Sequence, residues 1–445
     1  MTEPDYSSRS NDKRPNSGHG RLFGQRLWKD WRTNYFPMWF GQVFSLIGSR
    51  VVQFALIWYL TQETGSATVL VTATLVGLVP EIILSPLAGV FVDRWDRQMM
   101  MIVADGAVAL ASWLLALLFW FEAVEVWQIY LIMFVRSVCG SFHWPAFQAS
   151  TSLMVPKEQL IRVNGLNQAV NGGLMILGAP LGALLLALLT TYGVMLVDVG
   201  TAVLAILPLI FVYVPLPRTG QDGDDKVGLF WSELLTGLRY VMGWRGLLAI
   251  IFMSMMIKAA LTPAFSLLPL LVSDYFGGDA VQLGLLEAIL GVGMLVGGLI
   301  LSVWGGFRRR IYTSLAGVIA MGVSLLILGF APAGLFILAL ISVFLIGLTA
   351  SMVDGPIMAI LQTTVDPEVQ GRVFTVIGSL TAITSPLGLL IAGPVTDLIG
   401  LTTWYLVAGV ICVALGTALF FVSDVIHIEE YAKARSPVIV KSRST

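Results

Sequence analysis

Apolar residues run along this chain in long stretches, and its polar residues gather in the short turns between them. The apolar stretches lie near 35–61, 68–92, 98–121, 126–151, 162–190, 193–214, 246–273, 281–304, 311–330, 334–363, 372–396 and 402–423. A helix that crosses a bilayer needs about 20 apolar residues, so the pattern predicts an all-α membrane protein with twelve transmembrane helices. Composition agrees: 57% of residues are hydrophobic, 12% are charged and the mean hydropathy is +0.84, whereas an ordinary soluble chain carries about 25% charged residues.

The position of each charge says more than the net charge of −1. All but three of the lysines and arginines (Arg50, Arg136 and Lys258, inside apolar stretches) fall before the first stretch, in the even-numbered turns (Arg94, Arg97, Lys157, Arg162, Arg218, Lys226, Arg239, Arg245, Arg308, Arg309, Arg310, Arg372) and in the tail. The odd-numbered turns carry no basic residue but hold Glu63, Glu122, Glu125, Asp274 and Asp279. The positive-inside rule then places both termini in the cytoplasm and the chain in the cell's inner (cytoplasmic) membrane. Residues 1–20 are polar and lack an apolar h-region, which reads as a cytoplasmic tail and not a signal peptide. Arg21–Tyr35 mixes aromatic and basic residues, as an amphipathic lead-in on the inner surface would. Aromatic pairs, Trp404-Tyr405 among them, mark the expected outer interface. Cys139 and Cys412 sit in different stretches and suggest neither a disulfide nor a metal site.

The longest polar interruption, Pro217–Asp225, divides the stretches six and six. Apolar residues at helical spacing follow it from Phe230 to Met242, as in a helix lying on the membrane surface. The halves match at an offset of about 210 residues, pairing Arg97 with Arg308 and Arg162 with Arg372. Two pseudo-symmetric six-helix bundles leave this signature. The expected domains are a tail at 1–34, bundles at 35–214 and 246–424, a cytoplasmic linker at 215–245 and a tail at 425–445. Asp366-Pro367-Glu368 reads as a helix start, with Asp as cap and Pro in the first turn.

Between the second and third stretches stands Gly89-Val-Phe-Val-Asp93-Arg94-Trp-Asp96-Arg97. This G-x-x-x-D-R-x-x-R string resembles the signature loop of the major facilitator superfamily of secondary transporters. Extended back to Ser85 and on to Asp105, it resembles the drug/proton antiporter branch with macrolide and siderophore (enterobactin-type) exporters. The resemblance implies the major facilitator fold and a cytoplasmic gate of Gly89, Asp93, Arg94, Arg97 and Arg372, in which the Asp packs near the start of the eleventh helix. There the helix dipole and free N–H groups favour an anion. The plainer alternative is a solvated, topogenic turn. Arg136-Ser-Val-Cys-Gly140 resembles the family's fourth-helix R-x-x-x-G motif, whose Arg is implicated in proton coupling. Gly178-Ala-Pro180 is similar, more loosely, to the exporters' Gly-Pro motif, and equally fits close helix packing.

Charges inside a bilayer cost about 2.5–3.5 kcal/mol each on insertion scales. Arg50, Glu81 and Arg136 each fall roughly 17–22 Å from the inner boundary at 1.5 Å per residue, so Glu81 is the expected proton carrier, set between two guanidiniums. A static buried ion pair is the alternative. Asp105 is expected to pair near Arg97, and Lys258 to neutralise Asp354; all three of Asp105, Asp354 and Lys258 are further proton-coupling candidates. His143 lies near the same depth as Arg136, as a packing residue or a shuttle. Asp198 and Asp397 sit near outer ends and read as hydrated. Candidate cavity residues are Gln53, Asn167, Asn171, Met255, Met256, Phe265 and Glu287, the methionines offering an adaptable apolar surface.

These features predict a monomeric secondary transporter in the lipid bilayer, with no nucleic-acid partner. It would exchange protons for a small amphipathic organic substrate, drawing on the proton gradient and no cofactor. Export follows only from the branch resemblance, so an importer of the same fold stays open, as does a non-transporting receptor or scaffold. A membrane enzyme is disfavoured by the presence of only three histidines and no H-E-x-x-H, and nucleotide hydrolysis by the absence of any Gly-Lys pair.

Overall fold

The computed structural model describes residues 31–215 and 235–430. Twelve long helices run through them: α1 (Trp31–Thr64), α2 (Ala67–Arg94), α3 (Arg97–Trp120), α4 (Val126–Met154), α5 (Leu160–Leu188), α6 (Thr191–Phe211), α7 (Arg245–Ser266), α8 (Ala280–Trp304), α9 (Arg310–Phe330), α10 (Phe336–Thr364), α11 (Pro367–Ile399) and α12 (Leu401–Leu419). Eleven are long and apolar enough to cross a membrane. The other, α4, falls short because Arg136, His143 and several serines dilute its 29 residues. Residues 21–30 of the lead-in, the linker through Leu234 and the tail beyond Glu430 lie outside the described residues. A helix is described over 235–242, where one is expected after the linker.

The helices pack as two related halves. Pairs α2–α4, α3–α4, α3–α6, α1–α5 and α1–α6 are answered by α8–α10, α9–α10, α9–α12, α7–α11 and α7–α12. The two main contacts between halves, α2–α11 and α5–α8, are exchanged by the same operation. In lipid no hydrophobic force separates helix from solvent, so close approach through small residues carries much of this packing. On the α5–α8 seam, a Cβ added to Gly284 would stand 3.0 Å from Ala183 Cβ and 3.1 Å from the Ala179 carbonyl.

Helix α7 is broken where it meets the cavity. Pro263 has no N–H for the Ala259 carbonyl four residues earlier, and Gly388 of α11 packs directly against that carbonyl. Beyond Leu267 the chain continues as one helical turn, Leu268–Leu270, and a π-helical turn, Leu271–Tyr275. Trp404 Nε1 donates to the Ala260 carbonyl at 3.0 Å and Tyr405 Oη to the Ala264 carbonyl at 2.9 Å. Both rings are buried and anchor α12 to the broken helix instead of marking the membrane interface as expected. Trp120 and Trp127 do remain exposed. At the other end, Asp366 is the N-cap of α11 with Pro367 following, but its side chain makes no capping hydrogen bond.

Gly388 gives a direct test of this packing. Gly388→Val forces α11 away from the Ala259 carbonyl, and overpacking of this kind costs about 1–3 kcal/mol. A thermal melt in detergent should show a clear drop in midpoint, whereas Gly371→Ala, with open space around its Cα, should melt like the parent.

Candidate functional site: a charged cavity between the halves

A cavity of about 580 Å³ opens between α1, α2, α4 and the α7 break, lined by Arg50, Gln53, Glu81, Arg136, His143, Phe265 and Glu287 among others. A second space of about 300 Å³ continues from it towards α5 and shares Arg50, Gln53, Phe265 and Glu287. The break in α7 turns Phe265 and Ser266 into the wall, and Thr74 and Ser266 hydroxyls meet there at 2.6 Å.

Arg136 does not turn to Glu81. Its Nη1 donates to Asp198 Oδ2 at 2.5 Å and to Ser112 Oγ at 2.8 Å, while Ser112 Oγ also donates to the same carboxylate oxygen at 2.6 Å. Asp198 is 1% exposed, so the sequence expectation of a hydrated aspartate is corrected. It lies two turns into α6, which reaches α1 because Gly48 carries no side chain; a Cβ there would clash with Thr201 and stand 3.0 Å from Asp198 Oδ1. The pair ties α3, α4 and α6 together inside one half.

Asp105 is also displaced from its expected partner. Its carboxylate accepts from Gln42 Nε2 at 3.0 Å and Ser45 Oγ at 3.3 Å, both on α1, and His143 Nε2 stands 3.4 Å away on α4. Arg97 instead donates to the Val92 carbonyl at 3.1 Å and the Ala149 carbonyl at 3.1 Å, and is buried. Eight residues separate Asp105 from Arg97, a rise of about 12 Å that no guanidinium spans.

The charges left facing the cavity are Arg50, Glu81 and Glu287. Among the described residues none of the three is within ion-pair distance of another charge. Arg50 and Glu287, which belong to opposite halves, nonetheless line the same two cavities. Among the described residues Lys258 and Asp354 do not form the ion pair expected of them. Neither lines these two cavities. Of the other cavity candidates, Asn167 is buried and accepts from Trp39 Nε1 at 2.7 Å, so it packs α5 on α1. Asn171, Met255 and Met256 are half-buried away from the two cavities. Gly89 is exposed, and the side chains of Asp93 and Arg94 lie outside the described residues. Arg372 is half-buried, and its carbonyl is approached by Gly237 of the 235–242 helix.

Sequence reasoning missed the strongest link between the halves. Asp397, at the end of α11, accepts from the backbone N–H of Ala67 at 2.9 Å and of Thr68 at 3.1 Å, and from Thr68 Oγ1 at 2.5 Å and Ser66 Oγ at 3.4 Å. It therefore caps α2, whose third free N–H, that of Val69, goes to Ser66 Oγ. Gly393 makes room: a Cβ there would lie 3.1 Å from Thr68 Cα. Gln62 Nε2 adds a bond to Ser273 Oγ at 3.1 Å. These bonds lie at the end where the odd-numbered turns are, and the Thr74–Ser266 hydroxyl contact joins the same two halves deeper, at the cavity wall. The available signal was Gly393-x-x-x-Asp397, the spacing of Gly89-x-x-x-Asp93 repeated at the end of α11.

A cavity between two pseudo-symmetric six-helix bundles, walled by a broken helix and by membrane-buried charges, defines a class of secondary transporter. The chain belongs to the Major Facilitator Superfamily, which it matches over residues 38–388 and again over 247–440. It is 33% identical to macrolide efflux protein A of Streptococcus pyogenes over 87% of this chain and 96% of that one. It is 28% identical to the multidrug efflux pump Tap of Mycolicibacterium fortuitum, over 84% and 92% of the two chains. Among solved structures, a POT family transporter in complex with 5-aminolevulinic acid superposes with a TM-score of 0.68 at 10% identity, over 88% of this chain and 96% of that one; that likeness concerns the fold.

The Arg136–Asp198 pair yields an expected stability pattern. Breaking a buried pair from one side costs about 3–5 kcal/mol, while replacing both partners with apolar residues is often neutral. Asp198→Leu alone should lower the melting midpoint far more than Arg136→Met and Asp198→Leu combined. Equal losses would mean that the pair is hydrated.

Proposed function

We propose that this transporter exports amphipathic organic cations in exchange for protons, with both termini in the cytoplasm and the odd-numbered turns outside. The carrying observation is the cavity's charge. Once Asp198 neutralises Arg136, the carboxylates Glu81, Glu287 and Asp105 outnumber Arg50, so the site favours a cation or protons. Export is supported by the efflux relatives, and orientation by the basic residues of the even-numbered turns.

Coupling follows from where Arg50 sits. Glu81 shares its half, whereas Glu287 belongs to the other. A nearby guanidinium favours an ionised carboxylate and its withdrawal favours a protonated one. Rocking of one half on the other changes the Arg50–Glu287 separation and leaves Arg50 and Glu81 on one body, so the two carboxylates compete for one guanidinium as the cavity switches sides. Glu81 thus keeps its expected role as a proton carrier, with Glu287 replacing Arg136 as the element that senses conformation. Asp397 closes the outer side, and its bonds to α2 must break for the cavity to open there.

The test is uphill efflux of a fluorescent organic cation from proteoliposomes with an imposed pH gradient. Glu81→Gln and Glu287→Gln should each abolish gradient-driven accumulation while retaining cation binding, because the amide keeps shape and loses titration. Full uphill transport by both variants would remove the proton from this cavity. Arg50→Lys should be milder than Arg50→Ala if positive charge alone sets the competition.

A further inference from the structure

Helices α2 and α3 both pack along α4 but make little contact with each other, which leaves a groove between them floored by α4. Its volume is about 480 Å³. It lies at the even-turn end and opens outward from the bundle, since Trp95, Met99 and Val103 on its rim are 57%, 59% and 60% exposed. Three rings furnish it: Phe91 stands edge-on to Trp95 at 4.9 Å between centroids and to Phe142 at 5.9 Å. Methionines 99 and 100 add adaptable apolar surface.

Two observations distinguish this groove from an ordinary lipid-facing crevice. Ala104 and Cys139 line both the groove and the central cavity, so the partition between them is one layer of small side chains. Among the described residues, the only charged group lining the groove is an acid, Asp96. Its Oδ1 caps α3 by accepting from the N–H groups of Gln98 at 2.9 Å and Met99 at 3.2 Å, and its charge stands in the turn between α2 and α3. Aromatic faces and one carboxylate attract a cation. A phospholipid phosphate would call for a basic partner, and no described basic residue lines the groove.

We propose that the groove between α2, α3 and α4 is a lateral access site, where an amphipathic cation dissolved in the adjoining leaflet docks before crossing the Ala104–Cys139 partition into the cavity. The cation's apolar body would lie against Phe91, Phe142 and the methionines, with its charge near Trp95 and Asp96. This rests on the reading of the protein as a cation exporter and adds the route by which cargo arrives.

The chain supplies its own reporter, because Cys412 is fully buried and Cys139 is not. The full-length protein in lipid nanodiscs is treated with N-ethylmaleimide, and modification of Cys139 is followed by mass spectrometry. The probes are trimethylammonium-diphenylhexatriene, uncharged diphenylhexatriene and added phosphatidylglycerol. The charged probe should slow modification, and the other two should not. Trp95→Ala, and Asp96→Ser, which keeps a capping oxygen, should raise the concentration needed for protection by roughly tenfold, within the range of a cation–π contact.

Phe265→Ala, in the central cavity alone, should leave that concentration unchanged. Equal protection by all three probes would make the groove a nonspecific lipid crevice and overturn the proposal, a result wild-type protein alone can give. Protection altered by Phe265→Ala but by neither groove variant would place the cation in the central cavity and also overturn it. Uphill transport of the same charged probe by wild-type proteoliposomes tests the exporter reading separately. Absence of that transport beside charge-selective groove protection would sink the exporter reading and leave the groove a cation site.

Discussion

Four donors from the start of α2 converge on the Asp397 carboxylate, and this contact fixes how the two halves meet. The first N–H groups of a helix have no partner within the helix, and at a membrane boundary each unsatisfied one is costly. The positive end of the helix dipole adds to their attraction for an anion. Here the anion comes from the opposite half, so the capping requirement of one helix becomes an adhesive between bundles. The glycine at 393 is what lets the two backbones approach closely enough for a short aspartate to reach.

Elsewhere the seam has a different chemistry. The α5–α8 contact is packed through small residues, Gly284 against Ala179 and Ala183. Inside the first half the buried charges are held in place: Arg136 to Asp198 and Ser112, Asp105 to Gln42 and Ser45. A half with satisfied internal charges can move as a body, and the groups left facing the cavity, Arg50, Glu81 and Glu287, are those whose surroundings change when it does. Halves packed as units, a seam of small residues and a polar clasp at one end are ingredients that alternating access would use.

Much of this was legible in the sequence because the bilayer imposes a long period on hydropathy and a sign on each turn. The twelve spans, the repeat and the intramembrane charges all come from one-dimensional features. Partner choice does not. Depth along a helix puts Arg136 level with Glu81, but rotation about the helix axis points it towards α6, and no hydropathy pattern records that rotation. Asp198 reads as an outer residue because its span was placed by length alone, whereas Gly48 draws α6 inward at that level. Asn167 looks like a cavity amide until Trp39 claims it. The break in α7 was open to reading from Pro263 and Pro269, and Asp397 from its repeat of the glycine-to-aspartate spacing.

The account stands or falls on the clasp. Spin labels at Ala123→Cys and Ala333→Cys, exposed positions on odd-numbered turns of opposite halves, report the separation of the bundles by double electron–electron resonance in a background carrying Cys139→Ser and Cys412→Ala. With Asp397 intact the distribution should be dominated by the closed separation, and Asp397→Asn, which removes the charge and keeps the shape, should shift population to longer distances. An identical distribution in the two proteins would contradict the claim that this aspartate holds the odd-turn side closed.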